Sequence, residues 1–280
     1  MSIRFDCPEC GHQIRVRDEN VGRKGKCPKC GVKVVVPTAE SEETTEGGSV
    51  VYRHRPRTVP FELAIGDSDN IEAISNHIEE HLGPIDSVWH ELVSDLVHID
   101  IHVVKPTEER PWITLVTSGM SDAPMNVPDE AEHLRFAELM ICLPADWPME
   151  EEDLKDETNY WPIWLLKSLA RLPHEYDTWL GFGHTIPNGD PAQPYVHSAG
   201  FSSVLLLSPI LNDEAFNELE ISPDKSIHFY ALFPLYAEEL ELKLGKGTEE
   251  LCSRLEKVGT SELLDLKRKN SCKRRLFGLF

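Results

Sequence analysis

His98-Ile99-Asp100-Ile101-His102-Val103-Val104 alternates polar and apolar side chains. A period of two marks a β-strand with one face turned toward a core. Ile99, Ile101 and Val103 supply that face, which leaves His98, Asp100 and His102 together on the other. Pro106 to Pro111 reads as a short turn, and residues 112–118 as the next strand of an antiparallel meander. Residues 88–93 before this pair and 136–143 after it read as further strands, the latter following a turn-rich stretch at 119–128.

Helical periodicity flanks these strands. Ile71, Ile74, Ile78 and Leu82 recur at helical spacing, Asp67 to Asn70 offer capping groups, and Gly83-Pro84 ends the run. A second helix is expected over 160–172, with Trp161, Leu165, Leu169 and Leu172 on one face and Pro162 in the first turn. Residues 201–207 and 226–232 read as strands. Residues 234–259 read as helix broken near Gly245 and Gly247, with Leu240, Leu244, Leu251 and Leu255 inward. Strands and helices mixed without regular βαβ alternation predict an α+β domain built on a mixed, largely antiparallel sheet with packed helices.

Cys7, Cys10, Cys27 and Cys30 form two Cys-x2-Cys pairs sixteen residues apart, the spacing of a structural zinc ribbon. Gly11 and Gly31 follow the two pairs and permit tight turns. Residues 2–5 with 13–17, and 24–26 with 32–36, are expected to pair as hairpins. A segment this short cannot fold on its own core, so one Zn2+ is expected to supply its folding free energy. Four divisions follow: a ribbon at 1–37, an acidic flexible linker at 38–49, the α+β domain at 50–266 and a basic tail with an apolar end at 267–280.

The net charge of −20 is unevenly spread: residues 1–37 hold eight basic and four acidic residues, and the remainder 20 basic and 44 acidic. Such an acidic body does not draw nucleic acid by charge, and it speeds encounter with a basic protein. No apolar run approaches membrane-spanning length, and the N-terminus runs directly into the cysteine motif, so a cytoplasmic protein is expected. The tail carries six basic residues between Lys267 and Arg275 before Leu276-Phe277-Gly278-Leu279-Phe280. It suits an anionic lipid surface or an acidic partner, or an end folded back on the acidic body.

Several segments of the body resemble one family. They are residues 98–104, then Thr114-Leu115-Val116-Thr117-Ser118-Gly119-Met120-Ser121-Asp122, Ala137-Glu138-Leu139-Met140 and Leu143-Pro144-Ala145-Asp146-Trp147. Trp161-Pro162 with Leu169-Ala170-Arg171, and Gly183-His184-Thr185-Ile186-Pro187-Asn188-Gly189, complete the set. In this order they resemble the Suppressor of fused domain in its bacterial form, over residues 61–266. The resemblance implies protein binding rather than catalysis. The animal protein holds a transcription factor of the Gli type, and bacterial members have been proposed as immunity proteins against toxins. The expected partner is therefore another protein, a toxin or a basic protein among the candidates. The animal pattern has a second lobe for which no room is expected after Leu266. Carried over by position, Met120, Ser121, Asp122 and Met125 in the loop after the 112–118 strand are the expected partner-binding residues, and a plain strand-ending turn is the competing reading.

Two other classes of function compete. His98, Asp100 and His102 on one strand face suit a metal-dependent hydrolase. Arg15, Arg17, Arg23, Lys24, Lys26, Lys29 and Lys33 make a basic ribbon face that would suit nucleic acid. Cys142 sits in an apolar run and reads as core. His174, Glu175, Asp177 and His184 lack the spacing of a metalloprotease helix. Neither a phosphate loop nor a Gly-x-Ser-x-Gly turn is present, so no enzyme is expected.

Overall fold

The computed structural model describes residues 2–20, 22–36, 43–54 and 60–273. Part of the expected linker (38–42) and the apolar end of the tail (274–280) lie outside them. Contacts divide the chain into two units, Met1–Arg53 and His54–Phe280.

In the first unit, β1 (Ser2–Asp6) pairs with β2 (Gln13–Arg17), and β3 (Lys24–Lys26) with β4 (Lys33–Val35), both antiparallel. Among the described residues the buried apolar cluster is Cys7, Ile14, Cys27 and Val34 with a few partly covered neighbours, and Val36 is buried as well. In the acidic stretch, Thr44 bridges Val50 and Arg53 pairs with Glu43 at 3.0 Å.

The second unit begins with α1 (Ser68–Leu82), whose N-cap Asp67 accepts from the backbone N–H groups of Asp69 and Asn70. Then come β5 (Ile85–Trp89), β6 (Asp100–Val104), β7 (Trp112–Ser118), β8 (Ala137–Pro144), α2 (Glu157–Tyr176), β9 (Thr185–Pro187) and β10 (Phe201–Leu207). The last elements are β11 (Glu218–Ser222), β12 (Lys225–Tyr236), α3 (Ala237–Lys246) and α4 (Thr248–Lys257). The eight strands form one sheet in the order β5-β6-β7-β8-β12-β10-β9, with β11 also on β12. Among the described strands β8 and β12 are the one parallel pair, as expected of a mixed, largely antiparallel sheet. β12 is twelve residues long, so its first part can pair with β11 and β8 and its last part with β10.

Helices cover both faces. Ile101, Leu115, Leu139 and Ile141 pack in one cluster with Trp161, Leu165 and Leu169 of α2. Val104, Val116, Met140 and Phe233 pack in the other with Ile74, Ile78 and Leu82 of α1 and Leu251 and Leu255 of α4. Alternation along β6 therefore turns Asp100 and His102 toward the α1 side, where Val104 lies. Both are buried, at 1% and 0% exposure, and of the two environments the alternation allows, solvent or bonds to neighbouring strands, His102 takes the second through Ser118. The strand expected at 88–93 ends at Trp89; residues 90–99 leave the sheet, with Leu96 at φ 67°.

The helix at 234–259 differs in an instructive way. Leu251 and Leu255 are buried as the pattern predicts, but Leu244 is 37% exposed, and α3 instead buries Glu239 and Lys243. The reason lies thirty residues on. Arg268 pairs with Glu239, donating Nη1 to Oε1 at 2.8 Å, and its guanidinium lies 4.7 Å from the Tyr236 ring. Tyr236 N and Ser271 N donate to the same carboxylate at 3.0 and 2.8 Å. Burial alone would raise the Glu239 pKa, but Arg268 holds it below the usual carboxylate range. The start of the tail is thus fastened to the domain, with Asn270 and Lys273 reaching Glu238.

Removing one partner of a buried ion pair strands the other charge. Arg268→Ala is expected to cost about 3 kcal/mol in urea unfolding, while Leu244→Ala stays within about 0.5 kcal/mol.

Candidate functional site

Each cysteine pair occupies the turn of one hairpin in the first unit. The Gly11 N–H donates to Cys7 O and the Gly31 N–H to Cys27 O, both at 2.9 Å, with the glycines at φ 65° and 75°. The four sulfurs converge, with Cys7 to Cys30 at 3.5 Å and Cys10 to Cys27 at 3.7 Å, and none is in a disulfide. Four thiolates about 2.3 Å from one ion stand about 3.8 Å apart at the corners of a tetrahedron. The cluster therefore fits a single thiolate-preferring ion. The basic residues of the ribbon are exposed around it.

In the domain, the residues of the expected partner loop are held by one buried carboxylate. Glu138 on β8 accepts from Thr117 Oγ1 at 2.6 Å, Gly119 N at 3.0 Å, Ser121 N at 2.9 Å and Ser121 Oγ at 2.6 Å. Gly119 sits at φ 102°, and a Cβ there would fall 1.8 Å from the His98 carbonyl oxygen, so no other residue fits. Asn70 of α1 donates to Ser121 Oγ at 3.0 Å and to Asp122 Oδ1 at 2.7 Å, and Lys225 donates to Asn70 Oδ1 at 3.0 Å. His174 of α2 bonds the Met120 carbonyl at 2.9 Å. Met120 and Ser121 are fully buried and Met125 is 4% exposed, so the thioethers expected to offer an adaptable surface fill the core instead. They point inward because the residues after β7 close into a 3-10 turn under the Glu138 carboxylate. Asp122 alone reaches the surface in part.

The hydrolase reading requires His98, Asp100 and His102 to act together, and the structure keeps His98 with Asp100 but sets His102 apart. His98 Nε2 lies 3.0 Å from Asp100 Oδ1, and His90, from the end of β5, lies 2.8 Å from Asp100 Oδ2. His102 instead bonds Ser118 Oγ at 2.9 Å, and burial pushes its pKa down to about 4 despite the Asp100 charge. It is a neutral core ring. His174 and His184 are likewise apart, His174 on the Met120 carbonyl and His184 against Trp179.

One surface feature was not anticipated. Residues 62–64 run beside 94–96 through the Leu63–Asp95 bridge and the Ala64 N to Ser94 O and Leu96 N to Glu62 O bonds. On this pair of segments Phe61, Leu63, Ile65, Leu92 and Val93 are 60, 64, 88, 100 and 70% exposed. The alternation of Phe61, Leu63 and Ile65 with Glu62 and Ala64 was the signal in the sequence; the pairing that brings Leu92 and Val93 beside them was not visible there.

The family model for Suppressor of fused protein (SUFU) matches residues 95–269, which includes the Glu138 network and the Arg268 clamp. The chain belongs to the Suppressor of fused family. A crystal structure of a SUFU homologue from Neisseria gonorrhoeae aligns over 74% of this chain and 100% of its own, at 18% identity and a TM-score of 0.54. A Sufu–Fu complex structure aligns over 72% of this chain and 92% of its own, at 16% identity and a TM-score of 0.51. At such identities the likeness speaks for the fold. No curated protein matches the chain. Among the described residues no helix is long and apolar enough to cross a membrane.

Burial pushes the Glu138 carboxyl from 4.5 up to about 7, against the opposing hydrogen bonds of Ser121 and Thr117. A carboxyl with a raised folded pKa favours folding when protonated. Its contribution is full below 4.5 and is lost as pH rises through about 7. The urea midpoint of the wild type relative to Glu138→Gln is therefore expected to fall between about pH 5 and about pH 8.

Proposed function

We propose that this protein is a non-catalytic protein-binding module that holds a partner on the SUFU-like domain. The observation that carries this reading is the apolar strip of Phe61, Leu63, Ile65, Leu92 and Val93 on a chain of net charge −20. Large apolar side chains left exposed on two adjoining segments of so charged a chain point to a contact site, because leaving them in water costs about 25 cal/mol for each Å2. The Sufu–Fu complex supports a protein as the occupant by analogy of fold. The acidic body favours a basic partner, and an inhibitor or immunity protein that sequesters a toxin is the finer form of the proposal. The buried Met120, Ser121 and Met125 frame the loop from behind, leaving Asp122 as its candidate contact. The ribbon at 1–37 takes one structural Zn2+, the linker spans 38–49, the binding domain 50–266 and the tail 267–280. Cytoplasmic residence accords with the reduced thiols. Neither the hydrolase reading nor the nucleic-acid reading is favoured by an observation of comparable weight.

The tagged full chain is expected to capture one stoichiometric partner from its native lysate, less of it at high salt. Leu92→Asp with Val93→Asp should abolish that capture while the thermal midpoint stays unchanged; retention of the partner by the double variant would sink the strip as the contact. For the ribbon, Cys27→Ala is expected to lower the zinc content and to remove hydrogen-exchange protection from the amides of residues 2–36.

A further inference from the structure

Residues 90–100 hold a second set of metal donors, far in sequence from the cysteines. The reacting atoms of His90, His98 and Asp100 lie within 4.8 Å of one another. Asp100 is 1% exposed on its side chain, His98 19% and His90 65%, so the cluster runs from a buried carboxylate outward to solvent.

The contacts around His98 fix which of its nitrogens faces Asp100. Arg171 Nη2 donates to Glu91 Oε2 at 2.6 Å, and Ser94 Oγ donates to the same oxygen at 2.9 Å. Ser94 Oγ also lies 2.7 Å from His98 Nδ1, which leaves Nε2 to face Asp100 Oδ1 at 3.0 Å. His90 Nδ1 lies 2.8 Å from Asp100 Oδ2, so two ring nitrogens converge on the two oxygens of one buried carboxylate.

We propose that this cluster holds a divalent transition-metal ion of the zinc type on His90 Nδ1, His98 Nε2 and the Asp100 carboxylate. Two imidazoles and a carboxylate are a donor set for zinc, cobalt or nickel, and three protein ligands leave a position open on the solvent side. The chain from His98 Nδ1 through Ser94 to Glu91 is the outer support that metal-bound imidazoles characteristically have, fixing tautomer and ring plane. Donors on one tetrahedral ion stand about 3.4 Å apart, a little wider than the present separations. The exposed His90 ring can open by that amount without disturbing the core. The same residues bracket the turn that carries Leu92 and Val93, so the ion would fasten this segment to β6. His102 takes no part.

The test is a calorimetric titration of Zn2+ into the full chain whose four cysteines already hold one ion, with elemental analysis of the product. The wild type and His102→Ala are expected to take up a second equivalent. His90→Ala, which removes an exposed side chain and leaves folding intact, should lose it, and Ser94→Ala should bind about tenfold more weakly. Failure of the wild type to take up a second equivalent would overturn the proposal. Undiminished uptake by His90→Ala would do the same by placing the ion elsewhere.

Discussion

The Glu138 carboxylate organises the domain. A buried carboxylate without partners is costly, so the chain must bring donors to it. It finds them in the turn after β7, where Thr117, Gly119 and Ser121 all donate. Once that turn is closed, its outer side offers Ser121 and Asp122 to α1 through Asn70, and the Met120 carbonyl to α2 through His174. One acid on a central strand thus ties together two strands and the helices on both faces of the sheet. The Gly119 position follows from the same geometry, since the turn presses against the His98 carbonyl.

Covered carboxylates recur in the domain, two of them against arginines and a third against backbone amides. Glu239 meets Arg268, Glu91 meets Arg171, and Glu262 accepts from the Ile210 and Leu211 amides. Such pairs add little net stability over apolar packing, but an incorrect arrangement that leaves one unpaired is heavily penalised. They fix how the segment after α4 returns to the sheet and how the segment between β5 and β6 is seated. The second case sets the surface: the turn held by Glu91 presents Leu92 and Val93 outward.

The two units rest on different physics. The second has two apolar clusters, one on each face of its sheet, and folds on burial of those clusters. Among the described residues the first buries five apolar or sulfur-bearing side chains, Cys7, Ile14, Cys27, Val34 and Val36, and brings together four thiols that could hold an ion.

Local periodicity made much of this protein legible. The four-cysteine spacing, both hairpins, α1 with its Asp67 cap, β7 and β10 follow from patterns within a dozen residues, because metal knuckles, caps and strand alternation are short-range constraints. The family signature was also legible, but its burial was not: Met120, Ser121 and Met125, read with Asp122 as a candidate contact loop, lie buried, and Ser121 is held with Thr117 and Gly119 on Glu138. Burial of α3 was misread because helical spacing locates a stripe of leucines but cannot see Arg268, thirty residues away, which draws Glu239 inward. His98, Asp100 and His102 share a strand parity, yet a side chain from the end of β5 replaces His102 beside Asp100. Sequence alone determined the four-cysteine set and most of the helices and strands, though not β9 or β11. Tertiary structure decided which charges meet in the interior and which apolar groups stay outside, because those outcomes depend on partners brought together only by the folded sheet.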